Sequence, residues 1–172
     1  MILAISGEKG SGKTTLARLI KSKLRNYEIK SFASPGYDIV SLSGRGAWYL
    51  RKHKDEAIHG LTLQKIGAAM RNEVYVDVWI DLLMHDYIPG ISLWIIDNLR
   101  YQNEAEALLD YPSFLIRLTG RGEVDTHESE HGLDEWMAWD CFYDNSGSLA
   151  ELEDLANQIV NTLKGKRSTI LH

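Results

Sequence analysis

The period of the apolar positions changes along the chain, and each change marks an element. Ile2 to Ser6, "ILAIS", is an unbroken apolar run closed by a glycine, the pattern of a strand buried on both faces of a parallel sheet. After a glycine-rich turn, Leu16, Ala17, Ile20 and Leu24 recur at helical spacing, with Arg18, Lys21, Lys23 and Arg25 on the other side. Glu28 to Ala33, "EIKSFA", reads as a second strand. The stretch "SPGYDIVSLSGRG" from Ser34 holds turn residues and shows no clean period, which predicts a loop of the kind that carries function. Between Trp48 and Ile88 the patterning is mainly helical. Leu63, Ile66, Gly67 and Met70 form one stripe, and Val76, Trp79, Ile80 and Leu83 another, until Pro89 and Gly90 end the region.

Ser92 to Asp97, "SLWIID", is a further apolar strand that finishes on an acid, followed by "NEAEALL" as a helix and Phe114 to Leu118, "FLIRL", as a strand. Residues 119–135 are polar, and "CFY" at 141–143 is a short last strand. Ser148 and Glu151 make a capping box ahead of Leu152, Leu155, Ile159 and Leu163, which predicts a final helix. The tail "KGKRSTILH" is expected to be loose. Strands alternating with helices predict an α/β fold with a parallel sheet.

At 172 residues the chain has room for one domain with a full core, so a single compact unit is expected. A net charge of −5 gives no global attraction to nucleic acid or anionic lipid, so any anionic partner must meet a local cluster. No apolar run reaches the roughly 18 to 20 residues of a membrane span, and "MILAIS" meets Glu8 and Lys9 too soon for a secretory signal. The single Cys141 has no intrachain disulfide partner, which suits a reducing cytoplasm.

"GEKGSGKTT" satisfies G-x-x-x-x-G-K-[ST] through Gly7, Gly12, Lys13 and Thr14, and lies between a predicted strand and a predicted helix, as the mechanism of a P-loop demands. Glycines leave room for main-chain N–H groups to ring a phosphate, and the helix N-terminus adds its dipole. Gly7, Glu8, Lys9, Gly10, Ser11, Gly12, Lys13, Thr14 and Thr15 are therefore the expected donor-binding set. Lys13 would reach the β- and γ-phosphates, and the Thr14 hydroxyl would ligate Mg²⁺. Such a site needs a second carboxylate at the end of a neighbouring strand, and Asp97 is placed for it, although a turn or capping aspartate would look similar. Guanine-reading Asn-Lys-x-Asp loops are absent, so the motif points to ATP.

An alcohol acceptor would need a base, whereas a phosphate monoester, already ionised near pH 7, would need cations to offset repulsion. Arg45, Arg71, Arg100, Arg117 and Arg121 fall in segments suited to this, as bidentate, permanently charged groups, though each singly reads equally well as a solvated arginine. Arg117 is the exception, since an arginine inside "FLIRL" needs a reason to be buried.

The chain resembles the deoxynucleoside monophosphate kinases of bacteriophages, a P-loop nucleoside monophosphate kinase family. The resemblance rests on "GEKGSGKTT", "SFASP", "LQKIGAAMRNEVYVDVWIDLL", "LRYQNEAEAL", "HESEHGLD" and "DNSGSLAELEDL", in that order along most of the chain. It implies a three-layer α/β/α fold with a five-stranded parallel sheet, spanning 1–172 as one P-loop kinase domain. An acceptor-binding helical region at 34–88 and a lid at 119–139 would belong to it. Arg71 then looks like the ligand of the substrate phosphate and Trp79 a ring to stack on a base, where a core aromatic is the plainer reading. By the same resemblance Arg100 follows the second core strand and would hold the acceptor phosphate with Arg71, while Arg117 and Arg121 open the lid and would neutralise charge in the transition state. Ser129 and Glu130 match an "SE" pair that positions acceptor or lid arginines. Family members carry an aspartate two residues before the arginine of the "RY" block, whereas this chain has Asn98 there and Asp97 one step earlier, so either could approach metal or sugar.

His127 to His131, "HESEH", also fits the zinc-protease pattern. The segment is polar all round and Gly132 interrupts it at once, which suits a mobile lid with hydrogen-bonding histidines better than a zinc helix. The expectation is an ATP- and Mg²⁺-dependent (deoxy)nucleoside monophosphate kinase of the cytoplasm, or host cytoplasm for a viral protein. Nucleotides would be its partners, with neither nucleic acid nor membrane, and a homodimer is allowed but not required. A kinase with an alcohol acceptor and a non-catalytic ATP-binding module are the alternatives.

Overall fold

The fold is seen in a computed structural model that describes residues 1–41, 64–122 and 131–170. Five strands, β1 (Ile2–Gly7), β2 (Glu28–Lys30), β3 (Trp94–Leu99), β4 (Ser113–Thr119) and β5 (Cys141–Asp144), form one sheet in the order β2-β3-β1-β4-β5. Every pairing is parallel. Among the described residues, helix α1 (Lys13–Lys23) follows β1, α2 (Ser34–Ser41) and α3 (Val78–Met84) lie between β2 and β3, α4 (Gln102–Leu109) follows β3, and α5 (Leu149–Ile170) follows β5. This is the α/β class that the alternating patterns predict. No helix among the described residues is long and apolar enough to cross a membrane.

β1 sits at the centre because its side chains are apolar on both faces, and it is buried along its whole length. Leu3 and Ile5 share one cluster with Leu16, Ala17 and Ile20 of α1 and with Leu152, Leu155, Ala156 and Ile159 of α5. Each such fully buried aliphatic side chain stabilises the fold by about 1.5–3 kcal/mol. On the opposite face Ile2, Ala4, Ile96 and Leu115 are buried, and α4, whose Ala105 and Leu108 are fully covered, packs against β4. β1 leads away to β2 on one side while β4 leads to β5 on the other, so the connections part between β1 and β4. In open parallel sheets, ligands bind at the carboxyl ends of the strands beside such a point.

The chain folds into two compact units, Met1–Lys30 with Pro89–His172, and the inserted Ser31–Ile88. The first holds the whole sheet. Within the second, α2 occupies the start of the stretch expected to be a loop. Pro35 lies in its first turn, where a missing N–H costs nothing and a preset φ favours the helix. A helical stretch at 64–69 runs into a π-helical turn at Met70–Val74, and Trp79, Ile80 and Leu83 on α3 are buried as their stripe predicts. Val76, counted on the same stripe, is instead 59% exposed ahead of the helix.

Three boundaries also differ from the sequence reading. β2 stops at Lys30 rather than Ala33, β3 runs two residues beyond Asp97, and α5 continues through the tail to Ile170. The predicted capping box at its start is present, Ser148 N–H donating to Glu151 Oε2 at 2.5 Å and Glu151 N–H to Ser148 Oγ at 3.3 Å.

Candidate functional site

The turn after β1 has the backbone that a phosphate cradle requires. Gly7, Gly10 and Gly12 have φ of 143°, 82° and 96°, a region unfavourable to residues with a Cβ. A Cβ on Gly7 would lie 2.5 Å from both the Leu118 carbonyl oxygen and Ser11 Oγ, so the close approach of loop to sheet admits only hydrogen there. Gly12 caps α1 without any side-chain hydrogen bond, so no capping side chain stands at the positive end of the helix. Lys13 is 8% exposed, and its ammonium is held over the loop by donating to the carbonyls of Gly7 (2.7 Å) and Glu8 (2.6 Å). Ser11 Oγ is buried with no hydrogen-bond partner among the described residues. Left-handed glycines, a confined ammonium and an orphaned hydroxyl in one turn fit a polyphosphate.

Across from the loop, Thr14 Oγ1 donates to Asp97 Oδ2 at 3.2 Å. Alternation along β3 from Ile95 puts Asp97 on the face of α1. Ile2, Leu3 and Ala4 pair with Trp94, Ile95 and Ile96, but Ser6 pairs with Leu99, so β3 carries one extra residue there, a bulge. Asp97 comes two residues after Ile95, which packs in the α1 cluster, and strand alternation puts both on that face. Two hard oxygen groups thus meet beside the loop, the donor chemistry that Mg²⁺ takes.

Arg117, expected to act in the transition state, lies on β4 with its guanidinium engaged on several sides. Its Nη1 donates to Ser6 Oγ at 3.0 Å, its Nη2 to Asp134 Oδ1 at 2.9 Å, and its guanidinium lies 5.9 Å from the Trp139 ring centroid. Ser6 and Arg117 are register partners on adjoining strands, so the arginine inside "FLIRL" is explained by a charge partner and a buried hydroxyl. His131, from the "HESEH" stretch, places Nδ1 2.9 Å from the other oxygen of Asp134, a hydrogen-bonding position. Arg121 is exposed and donates to the Gly147 carbonyl, while Gly122 comes so close to Glu8 that a Cβ would overlap its carboxylate.

Asn145, just past β5, went unnoticed as a site residue in the sequence because an asparagine before Ser-Gly-Ser reads as turn chemistry. It is 4% exposed, donates from Nδ2 to the Ser11 carbonyl at 2.9 Å, and receives the approach of Gly12, whose Cβ would stand 2.6 Å from that nitrogen. A cleft of about 170 Å³ opens beside it, lined by Gly10, Gly12, Thr15, Arg121, Asn145, Ser148, Leu149 and Leu152. Its wall includes the cap of α5, where the hydrogen bonds from the Ser148 backbone and side chain hold the Glu151 carboxyl below its ordinary value. A Cβ on Gly120 (φ 84°) would overlap the Asp144 carboxylate, and Asn145 N–H donates to the Thr119 carbonyl at 2.9 Å, so the chain after β4 and after β5 is held together.

Arg100 follows β3 directly, and the buried Glu104 accepts from the N–H groups of Arg100 and Tyr101 at 2.9 and 3.2 Å, fixing the strand-to-helix turn. In the inserted unit Arg71 Nη1 lies 3.5 Å from the Gly67 carbonyl. Trp79, expected to stack on a base, is 3% exposed, gives its indole N–H to Gly67 O at 3.1 Å, and packs near Gly36. Trp79 is thus one of the buried residues of that unit. Arg45, His127, Ser129 and Glu130 lie outside the described residues. Among the described residues, no group of three or more His, Cys, Asp or Glu side chains is assembled to hold a metal.

No protein-family model matches the chain. A UPF0200 protein of Pyrobaculum aerophilum is 33% identical over 137 residues, 72% of this chain and 68% of that one. The chain belongs to the UPF0200 family. This UPF0200 chain is also loosely similar in structure to a sugar kinase from Janibacter sp. HTCC2649, at 14% identity and a TM-score of 0.45, over 90% of this chain and 91% of that one. A candidate kinase from Chloroflexus aurantiacus gives 13% identity and a TM-score of 0.48, over 95% and 96%. At such scores the two likenesses carry no argument about activity. None of the three relatives is described as a bacteriophage or deoxynucleoside monophosphate kinase.

Proposed function

We propose that this UPF0200 protein moves the γ-phosphoryl group of ATP to a nucleoside or deoxynucleoside monophosphate. The observation that carries the reading is the meeting of Thr14 and Asp97 at 3.2 Å beside a cradle of left-handed glycines and a confined Lys13. A loop that only closed a strand onto a helix would not need an acid opposite its threonine.

The loop amides and Lys13 hold the β- and γ-phosphates of the donor, and its base lies in the cleft between Arg121 and the loop after β5. Thr14 and Asp97 would hold Mg²⁺, which supplies charge neutralisation at the phosphate oxygens when bound. An acceptor phosphate oxygen attacks the γ-phosphorus; the bond to the bridging oxygen breaks and its electron pair leaves on ADP. The acceptor is already ionised near neutral pH, so no general base is required, and catalysis is positioning and electrostatics. Arg100, at the end of β3, and Arg71 offset the repulsion between the two anions, as the resemblance implies. Arg121 belongs to the donor side. Arg117 acts at a distance, by holding Asp134 and the segment after residue 130 against β4.

Coupled release of ADP, measured over a panel of nucleoside monophosphates and alcohol metabolites, tests this. Acceptor-dependent turnover with monophosphates, lost in Lys13→Ala, is expected. Turnover with alcohols alone would replace the acceptor class, and ADP release indifferent to every acceptor would leave an ATP-binding module.

A further inference from the structure

We infer that Asn145 is a positioning residue for the phosphate loop: it sets the direction in which the Ser11–Gly12 peptide presents its N–H. The inference rests on the reading of that loop as a polyphosphate cradle, and goes beyond it to the part that keeps the cradle in shape.

The Ser11 carbonyl is an acceptor only, so the asparagine must turn its NH₂ toward it, and the 2.9 Å separation is that of a made hydrogen bond. Both partners are buried, and 134 residues of chain separate them. Asn145 is itself held at the main chain, where its N–H donates to the Thr119 carbonyl at 2.9 Å at the end of β4. The amide group is thus the end of a short strut from the sheet to the loop.

A trans peptide is planar, with its C=O and N–H pointing in opposite directions. Fixing the Ser11 carbonyl on Asn145 therefore turns the Gly12 N–H away from Asn145. Gly12 is left-handed, with φ of 96°, and has no Cβ to resist rotation of that peptide. A glycine-flanked peptide is the one most free to flip, and a flip would replace a donor with a carbonyl oxygen in a site for anions. Asn145 blocks it twice, by the hydrogen bond and by a contact so close that a Cβ on Gly12 would stand 2.6 Å from Nδ2. Because Asn145 also lines the base cleft, one residue couples the base subsite to the phosphate subsite.

The test measures ADP binding by calorimetry and steady-state kinetics in the wild type, Asn145→Ala and Asn145→Asp, with thermal midpoints recorded for each. Asn145→Ala removes the donor, and about 10-fold weaker ADP binding is expected. Asn145→Asp sets a carboxylate against the Ser11 carbonyl beside a phosphate site, and about 100-fold is expected. The KM for ATP rises in parallel, while the KM for the acceptor at saturating ATP stays within about twofold, a split that general loosening of the fold would not produce. Should Asn145→Asp be too unstable to assay, Asn145→Ala carries the test alone. Variants that bind ADP as the wild type does would overturn the inference and leave the cradle intact. A wild type that binds neither ADP nor ATP would overturn both.

Discussion

The Arg117–Asp134 pair decides whether the arginine in β4 is a structural cation or a catalytic one. In Asp134→Asn the Arg117 guanidinium, 10% exposed at the side chain, loses its charge partner and keeps Ser6 Oγ, 3.0 Å away, and a neutral amide. At about 4 Å between charge centres and an effective dielectric near 20, the gross attraction is about 4 kcal/mol. Asp134 is 49% exposed, however, so water screens its side of the pair, and side-chain entropy offsets more. A net loss of about 1–2 kcal/mol is therefore expected, below the roughly 3–5 kcal/mol found when a fully buried pair is broken. For a chain of this size that lowers the thermal midpoint by about 2–8 °C. Arg117→Met, which keeps most of the volume and removes the charge, should cost a similar amount. The double variant should fall short of the sum by about 1 kcal/mol, the signature of a direct interaction. Urea titration and thermal melts of the three variants measure this. Additive losses, or an Asp134→Asn variant as stable as the wild type whose turnover alone collapses, would refute the structural assignment.

Thr14→Ala and Asp97→Asn should each reduce turnover at least 100-fold in the coupled assay with little change in thermal midpoint, and Asn98→Ala should reduce it far less; equal losses at 97 and 98 would break the assignment of Asp97 as the partner of Thr14. If the cleft beside Asn145 takes the donor base as proposed, three of its polar groups are already engaged, Asn145 with Ser11, Ser148 with Glu151 and Arg121 with Gly147, so ATP, GTP and CTP should serve as donors within about 10-fold in kcat/KM, and a preference beyond about 100-fold would contradict this. Glu151 has its carboxyl lowered from 4.5 by the Ser148 hydrogen bonds, so the stability it adds is present above that value and lost as pH falls through the folded-state value; the difference between wild type and Glu151→Gln in thermal midpoint should shrink below pH 4.5 and stay level above it. Burial, and then the charge of Asp140, raise the Cys141 thiol above 9.0, so alkylation by iodoacetamide should be slow at pH 8 and accelerate only as pH passes 9; the rate of a free thiol at pH 8 would exclude this environment.

Elements with a strong local pattern could be read from residue order. β1 is apolar on both faces, the first helix has a clear stripe, and Ser148 with Glu151 caps the last. Weakly patterned segments were read less well: α2 has Pro and Gly in its first turn, which look like turn residues until the helix around them is seen. Trp79 shows the same limit at a site, since a helix-borne aromatic has one periodicity whether it meets a base or a core.

The glycine-rich turn after β1 was determined by sequence alone, because glycine spacing, lysine and threonine act over a single turn and need only a strand before and a helix after. What faces that loop was decided by the tertiary structure. Asp97 meets Thr14 because strand alternation puts it on the α1 face with Ile95, and Asn145 reaches Ser11 across 134 residues because β5 ends beside β4 and β4 beside β1. Such pairings depend on sheet order and register, which arise from long-range packing and leave no mark on the local residue pattern.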